Sequence, residues 1–426
     1  MRTALSRLAL DGGAPVRDRP WPSYENGDNF IAAEDEEEAV TALRERRYFR
    51  YDDRPYHATH NGRLNERISA LLSSRHMLAC TSGTAVIALS LFALGLPPGS
   101  PVACPAFTFS AAPSAIMLVG HRPVLVGVED DLHLDVVHLR RLIEAENVRA
   151  VVVVHVRGFA SDIRAVLAAA DAAGIPVVED AVPVLGVSFD GRPLGTFGAF
   201  GAFSTQADKP VNTGEGGFLV TDDSEAYARA VVHCGGYEGR MARHFPDGAP
   251  PVSDQDHPHF AWRMDEVRAA LAHSMLGRLP QRLARHRRTY DALADVLDGH
   301  DGLSLRAPSA PGAYTGQFLT MRLDRARAQD SEWYAEALCA EGIKAVALGS
   351  TRRPNARAFW NWCYLVGSDA EAARASLPHT ARRIDRIVDI PLSAHLTADD
   401  RADLVRAIDK VHAAWRRRCL SQGAAV

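Results

Sequence analysis

The sequence predicts an α/β protein whose large domain contains a mostly parallel sheet, followed by a smaller α+β domain. Three observations indicate this. Strand-like and helix-like segments alternate regularly between residues 76 and 180. The segment "VRAVVVVHV" (148–156) is continuously apolar, as expected of a strand covered on both faces. The chain has 426 residues, which is long for a single hydrophobic core.

The first part of the chain predicts a surface arm and then a run of alternating elements. Residues 1–35 are rich in Pro, Gly and charge, which is typical of an arm that lies on the surface. Helices are predicted at 34–47, with acids at its start and arginines at its end, and at 65–76. Ser161 is a plausible N-cap for the helix that it begins. Four segments that each contain a strand followed by a helix are predicted at 76–95, 101–120, 122–146 and 148–174. A further strand is predicted at 175–180.

The second part of the chain predicts fewer strands and longer helices. Short strands are predicted at 199–204 and 216–223, followed by a helix at 224–236 and a Gly- and Pro-rich loop reaching about residue 260. A long helical stretch at 265–297 contains Pro280, which predicts a kink or break. The smaller unit has predicted strands at 316–323 and 343–348 and helices at 331–342 and 398–418. We therefore expect an arm at 1–35, a large domain at 36–264, and a linking helix with the small domain at 265–426.

Bulk properties exclude several classes of protein. The chain is 47% hydrophobic and 23% charged, with a net charge of −4, so no basic surface indicates nucleic-acid binding. No window approaches 18 uninterrupted apolar residues, and the apolar start is too short for a signal peptide. The six cysteines are scattered without metal-ligand spacing, which argues against a zinc site or a disulfide framework. A cytoplasmic protein without membrane or nucleic-acid partners and without a bound metal is expected.

Three features fall at predicted strand ends, where ligands bind in open α/β sheets. "TSGT" (81–84) lies between a strand and a helix, and helix N-termini suit phosphate groups. Asp180 closes the strand "IPVVED". Lys209 is one of only three lysines among 48 basic residues, and lysine, unlike arginine, can form a Schiff base. Together these are the parts that a pyridoxal phosphate enzyme needs, although each alone has an ordinary alternative as a turn, a strand cap or a solvated lysine.

Several longer motifs occur in the order found in one enzyme family. They are "LALDGGAPVR" (8–17), "PVVEDAV" (176–182), "FSTQADKPVNTGEGG" (203–217), "RMDEVRAAL" (263–271) and "IPLSAHLTADD" (390–400). The chain thereby resembles the DegT/DnrJ/StrS family of pyridoxal phosphate-dependent aminotransferases over nearly its whole length. The most specific motif is a serine and a lysine separated by four residues (Ser204 and Lys209), followed by Gly-Glu-Gly-Gly. The resemblance implies fold type I, pyridoxal 5′-phosphate as cofactor, and a role in secondary metabolite biosynthesis.

The resemblance implies a role for individual residues of this chain. Lys209 would form the Schiff base and move the proton between the substrate and the cofactor. Asp180 would pair with the pyridinium nitrogen. The remaining cofactor-binding residues would be Gly83, Thr84 and Ser204 at the phosphate, and Phe109 on the ring face.

Four of the candidate residues have a structural alternative or no assigned role. Phe109, judged on its residue type alone, is more often a core aromatic. His155 lies at a strand end and is as easily a buried, hydrogen-bonded histidine as a substrate contact. Arg157 could meet an anionic substrate, but a structural ion pair is the simpler interpretation. Glu215 is expected near the cofactor without a defined chemical role.

Two positions depart from the family pattern. Pro183 stands where the family carries Gln or His near the 3′-oxygen of the cofactor, and proline offers no donor. Ala261 stands where the family carries an Asn that reaches the cofactor phosphate of the other subunit. Both departures leave the cofactor chemistry possible but bear on which reaction follows.

The resemblance implies an aminotransferase that moves an amino group from an amino acid, such as glutamate or glutamine, to a ketone. The acceptor would be a sugar, a cyclitol or a related small metabolite, and the enzyme would be a homodimer with a shared active site. The alternatives are a lyase, epimerase or cyclase that acts on an amino acid, or a homologue without catalytic activity.

Overall fold

The structure is a computed structural model that describes residues 7–22, 31–324 and 326–421. Its large domain contains the predicted alternation of helices and strands around a seven-stranded sheet. The helices are α1 (Ala33–Glu45), α2 (His60–Leu72), α3 (Gly83–Ala93), α4 (Ala111–Leu118), α5 (Val136–Ala145), α6 (Ile163–Asp171), α7 (Ser224–Cys234) and α8 (Glu266–Met275), and α9 (Leu279–Leu297) leads onward. The strands are β1 (His76–Cys80), β2 (Pro101–Pro105), β3 (Arg122–Val126), β4 (Ala150–Val154), β5 (Val177–Asp180), the hairpin β6 (Ser188–Phe189) and β7 (Arg192–Pro193), β8 (Phe200–Ser204) and β9 (Gly217–Thr221).

The sheet is mostly parallel, and the predicted α/β class is confirmed. Its strand order is β1-β9-β8-β5-β4-β2-β3, in which β8, β5, β4, β2 and β3 run parallel and β9 pairs antiparallel with both neighbours. All five residues of β4 are buried, which explains its continuous apolar sequence. Two apolar cores, one on each face, hold the helices against the sheet. The five parallel strands therefore present their carboxyl ends at one edge.

Two local predictions about helix ends can be compared with the structure. The break predicted near Pro280 is observed, since α8 and α9 are separated by a short 3₁₀ turn at Leu276–Arg278 and proline occupies the first turn of α9. The prediction of Ser161 as an N-cap is wrong. Asp162 caps α6 by accepting the N–H of Ala165 at 3.1 Å, because the Ser161 hydroxyl donates instead to the carbonyl of Val154.

The small domain is an antiparallel sheet of four strands with helices packed on it. The strand order is β10 (Leu303–Leu305), β11 (Phe318–Leu323), β13 (Ile387–Pro391) and β12 (Val346–Ala347), and neither β10 nor the central β13 was predicted from the sequence. No helix in the described ranges is long and apolar enough to cross a membrane. The elements are β10 (Leu303–Leu305), β11 (Phe318–Leu323), α10 (Ala328–Ala340), β12 (Val346–Ala347), α11 (Cys363–Val366), α12 (Ala370–Ser376), α13 (Pro378–Asp385), β13 (Ile387–Pro391) and α14 (Ala398–Ser421).

The described part of the predicted N-terminal arm, residues 7–22, packs against the small domain. The guanidinium of Arg17 forms buried ion pairs with Asp400 at 2.8 Å and Asp403 at 3.0 Å, both on α14. The carboxylate of Glu341 accepts the backbone N–H of Val16 at 3.0 Å. Residues 1–6 and 23–30 of the arm lie outside the described residues, and the domain limits of the sequence analysis stay predictions.

Candidate active site

A cavity of about 500 Å³ opens at the carboxyl ends of the parallel strands and extends to the small domain. This is the edge where open α/β sheets bind their ligands. The cavity brings together every predicted site residue except His155. Its wall includes Gly83, Thr84, Phe109, Arg157, Asp180, Ser204, Lys209 and Glu215.

The N-terminus of α3 forms one wall of the cavity. Nine of its eleven residues are buried, so its position is fixed by packing on both sides. Gly83 begins the helix, and a Cβ there would lie 2.9 Å from the Cβ of Ser204. Glycine thus lets the helix N-terminus approach the end of β8, where the hydroxyls of Thr84 and Ser204 share the same wall. Backbone N–H groups and the helix dipole make this wall suitable for a phosphate.

Asp180 is the last residue of β5 and is 7% exposed. Its Oδ1 accepts the backbone N–H of Val182 at 3.2 Å. Burial raises the pKa of Asp180 to about 6, against the opposing effects of the Val182 N–H and of the positive charge of Lys209. Burial thus opposes the ionised form of this carboxylate, and a cationic N–H donor would stabilise it. A protonated pyridine nitrogen is a donor of this kind.

His155 and Glu179 lie on the opposite face of the same two strands. Val154 and Asp180 are direct partners in the β4–β5 pairing and both line the cavity, so the alternation of side chains turns His155 and Glu179 away from it. His155 is fully buried; its Nδ1 accepts the N–H of Ser161 at 3.1 Å, so its Nε2–H donates to Glu179 at 3.2 Å. The interpretation of His155 as a substrate contact is therefore not supported by its position.

The carboxylate of Glu179 holds the turn before β8. It accepts the backbone N–H groups of Gly195 at 2.9 Å, Phe197 at 2.5 Å and Gly198 at 2.7 Å, as well as the hydrogen bond from His155. These bonds fix the end of β5, and with it the neighbouring Asp180.

Replacing Glu179 with glutamine is expected to lower the free energy of unfolding by about 2–3 kcal/mol. In the wild type several buried N–H donors share the one carboxylate of Glu179. The glutamine amide would direct its own N–H groups at these donors and leave some of them without an acceptor. Urea denaturation monitored by circular dichroism measures the loss. The control is Glu146→Gln, because Glu146 forms an exposed pair with Arg122 at 3.0 Å and should change stability by less than about 1 kcal/mol. Equal stability of both variants would contradict this role of Glu179.

Lys209 lies in the loop between the antiparallel strands β8 and β9. Its Nζ is 3.0 Å from the carboxylate of Asp208, and both side chains line the cavity. The loop is closed by a hydrogen bond from the N–H of Thr213 to the carbonyl of Thr205 at 2.8 Å. Gly216 has φ of +152°, and a Cβ there would lie 2.3 Å from the Thr205 hydroxyl oxygen. The Gly-Glu-Gly-Gly segment therefore permits the close return of the loop that presents Lys209.

The other predicted residues have distinct surroundings. Phe109 is 55% exposed, so its alternative interpretation as a core aromatic is wrong. Arg157 lines the cavity while its Nη2 pairs with Asp389 of β13 at 2.8 Å, which matches the structural ion pair considered for it. The carbon of its guanidinium also lies 4.3 Å from the ring centroid of Phe318. Glu215 is exposed at the cavity wall, and no chemical role follows from its contacts.

The two departures from the family pattern occupy different places. Pro183 lines the cavity and brings no hydrogen-bond donor to it. Ala261 does not line the cavity but has a left-handed φ of 54°. The segment after it is fixed to the end of β1, because the carbonyl of Trp262 accepts the N–H of Thr81 at 2.9 Å and Arg263 bridges to Cys80.

The residues that the small domain and the lysine loop add to the cavity were not predicted from the sequence. These are Gln317, Phe318 and Arg357 of the small domain, together with Asp208. An acid directly before Lys209 was a usable signal for Asp208. One arginine among many offered no such signal for Arg357, which reaches the cavity only through domain packing.

The fold and this cavity define an enzyme of fold type I, the class to which the structurally similar aminotransferases belong. The family model of the DegT/DnrJ/EryC1/StrS aminotransferases matches residues 35–409, and the chain belongs to this family. The predicted resemblance is thereby confirmed.

The similar proteins include aminotransferases named for glutamine and an inosose, and a solved structure with a TDP-sugar product. The chain is 30% identical over 425 residues to the L-glutamine:scyllo-inosose aminotransferase of Streptomyces griseus, covering 95% of this chain and 97% of that protein. It is 32% identical over 302 residues to the L-glutamine:2-deoxy-scyllo-inosose aminotransferase of Streptomyces kanamyceticus, covering 68% of each. The solved structure of DesI with its TDP-sugar product has a TM-score of 0.77 and 27% identity, covering 98% of this chain and 99% of that one.

Proposed function

We propose that this chain is a pyridoxal phosphate-dependent aminotransferase that aminates a ketone of a cyclitol, a sugar or a related small metabolite. The amino donor would be an amino acid, glutamine or glutamate. The observation that supports this most is that one cavity contains a helix N-terminus, a buried carboxylate and the Lys209 amine. The glutamine-dependent inosose aminotransferases to which the chain is similar support the choice of donor and acceptor.

The residues of the cavity fit pyridoxal phosphate. Gly83, Thr84 and Ser204 would hold its phosphate, Asp180 its ring nitrogen and Phe109 a face of its ring. Four buried polar atoms of the wall have no hydrogen-bond partner among the described residues, as expected where a polar ligand binds. They are Thr108 Oγ1, Arg157 Nε, Gln317 Nε2 and Asp208 Oδ1, the last of which forms only the ion pair with Lys209. When bound, the cofactor supplies a carbonyl for the amine of the donor and a ring that accepts electrons.

The protein's own groups would then position charge and move protons. Lys209 Nζ would hold the cofactor, and the same amine would be the base that takes the proton from the α-carbon of the donor and keeps it for return. Asp208, 3.0 Å from that nitrogen, would hold the ammonium within the cavity during these steps. Asp180 would keep its negative charge only beside a cation, because burial opposes its ionisation. The apolar side chains of Ile87 and Val154 would limit the access of water.

A homodimer with a shared active site and a reducing cytoplasmic location belong to the same proposal. Support for the dimer comes from exposed apolar side chains, namely Phe109 of the cavity wall at 55%, Leu118 at 57% and Tyr364 at 50%. Support for a reducing compartment comes from the six cysteines, all free, of which Cys339 and Cys363 are exposed.

Adding glutamine to the cofactor-loaded protein is expected to convert the cofactor to its pyridoxamine form and release one equivalent of keto acid. The visible spectrum follows the first event, and mass spectrometry detects the second. A ketone acceptor, scyllo-inosose for example, should restore the starting spectrum and yield an amine. Solvent deuterium entering the α-carbon without a keto acid would instead favour an epimerase, a lyase or a cyclase. An unchanged spectrum with every amino acid would contradict all of these activities.

A further inference from the structure

Arg282 of α9 lies outside the cavity wall but contacts the loop that presents Lys209. Its Nη1 donates to the carbonyl of Pro210, the residue directly after Lys209, at 2.8 Å. The Arg282 side chain is buried, with 5% of the residue exposed. On the basis of the proposed function, we propose that Arg282 is a positioning residue, which sets the place of Lys209 through the Pro210 carbonyl.

Pro210 is a point where the lysine loop needs a hydrogen-bond donor from elsewhere in the chain. The base of the loop is closed by its own backbone, as in the bond from the N–H of Ala207 to the carbonyl of Gly214 at 3.1 Å. Pro210 has no N–H and is buried, so its carbonyl must find a donor or remain unsatisfied. The guanidinium of Arg282 is that donor.

The chain beyond Lys209 is attached to the same pair of helices. The N–H of Asn212 lies 3.4 Å from the sulfur of Met275, the last residue of α8. Val211 is 1% exposed and belongs to the apolar core that also contains Leu283 of α9. The part of the loop that follows Lys209 therefore rests on α8 and α9, and a shift of this support would move the amine.

The first turn of α9, from which Arg282 extends, is fixed against the large domain. Leu279 and Leu283 of this turn are both buried. A Cβ at Gly186 would lie 2.9 Å from the Leu283 side chain, so the glycine permits a close approach of the helix. Arg282 thus starts from a fixed point, and its bond to the Pro210 carbonyl is charge-assisted, which makes it stronger than a bond from a neutral donor.

The next turn of α9 contacts the chain that forms the small-domain wall of the same cavity. Gly316 has a left-handed φ of 77°, and a Cβ there would lie 2.7 Å from the carbonyl oxygen of His286. Gln317, which lines the cavity, follows directly. Since α9 contacts both walls, it fixes the distance between Gln317 and Lys209, and Arg282 is a contact through which it reaches the lysine loop.

Arg282→Met is expected to slow the attachment of pyridoxal phosphate to Lys209 by about 10- to 100-fold, the cost of a small misplacement of a reacting group. The rise of the visible absorbance band after the cofactor is added to cofactor-free protein measures this rate. The kcat with glutamine should fall by a similar factor, while the KM for glutamine should change by less than about 3-fold. Pyridoxamine phosphate has no carbonyl and cannot bond to Lys209. Its Kd should stay as in the wild type, because Arg282 lies outside the cavity wall.

A conservative variant and a matched control accompany this measurement. Arg282→Lys keeps a charged donor, so its rate of attachment should lie between those of the wild type and Arg282→Met. If Arg282→Met does not fold, Arg282→Lys provides the test, with a slower attachment and an unchanged Kd for pyridoxamine phosphate. Arg288→Met removes an exposed arginine of the same helix and should leave the rate, the kcat and the Kd unchanged.

The outcomes separate this assignment from the proposed function. Attachment at the wild-type rate in both Arg282 variants would overturn the assignment. An equal loss of pyridoxamine phosphate binding would also overturn it, because the whole site would then be disturbed. If the wild type forms the band but no amino acid converts the cofactor, the proposed reaction fails, and the rates of attachment still decide the role of Arg282. If the wild type forms no band, the roles of Lys209 and Arg282 are both refuted.

Discussion

Lys209→Ala is expected to lower kcat by roughly 10⁴-fold or more, as the loss of a covalent catalytic group does in other enzymes. The variant loses both the amine that would bond to the cofactor and the base that would move the α-proton. The protein should fold normally, since the Lys209 side chain is a quarter exposed in the cavity wall and its ion pair is with the adjacent Asp208. Steady-state rates with glutamine and a ketone acceptor measure the loss, and added methylamine should restore a small part of it.

The small number of lysines makes the attachment site itself measurable. Borohydride reduction of the cofactor-loaded wild type should fix a pyridoxyl group to the peptide that contains Lys209. Lys344 is exposed, and Lys410 is buried in an ion pair with Glu341 at 2.8 Å, so neither resembles a cofactor site. Lys344→Ala is the control and should retain both the label and the activity. A label on any other lysine in the Lys209→Ala variant, together with retained activity, would refute the role of Lys209.

The parts of the site that could be predicted are those encoded by short segments. The end of β1 passes through a glycine into α3, and β5 ends at Asp180, so local sequence places both at the same sheet edge. The loop of Lys209 was predicted because a lysine is rare in this arginine-rich chain and Gly-Glu-Gly-Gly follows it. These features depend on residues that are neighbours in the chain and on the parallel order of the strands.

The remaining parts depend on side-chain direction and on contacts between distant segments. His155 stands at a strand end as predicted, but the register of β4 with β5 turns it away from the cavity, and register cannot be deduced from one strand. Arg357 reaches the cavity because the chain around it pairs with residues 107 and 108, some 250 positions earlier. The central strand β13 was missed because its buried "IVDIP" carries an aspartate, which the Thr320 hydroxyl satisfies at 2.7 Å.

Asp180→Asn is expected to lower kcat by roughly 10²- to 10³-fold while stabilising the cofactor-free protein at neutral pH. Activity falls because an amide cannot hold the positive charge of the cofactor nitrogen. Stability rises because burial raises the pKa of Asp180 from its ordinary 3.8 to about 6. Between these two values the unfolded chain releases the proton that the folded protein keeps, so the stability of the wild type falls as the pH rises through this window. The loss in the free energy of unfolding is complete above pH 6 and amounts to about 3 kcal/mol.

Thermal unfolding of the cofactor-free proteins tests the opposed effects of this carboxylate. At pH 7.5 the Asp180→Asn variant should melt above the wild type, and near pH 4 the two should coincide. Adding pyridoxal phosphate at pH 7.5 should reverse the order, because a cationic ring nitrogen stabilises the wild-type carboxylate and gains little from the amide. Asp208→Asn is the stability control: its carboxylate is a quarter exposed beside the Lys209 ammonium, so no comparable gain is expected. A stability difference between Asp180→Asn and the wild type that does not change with pH would show that the buried charge of Asp180 is not its cause.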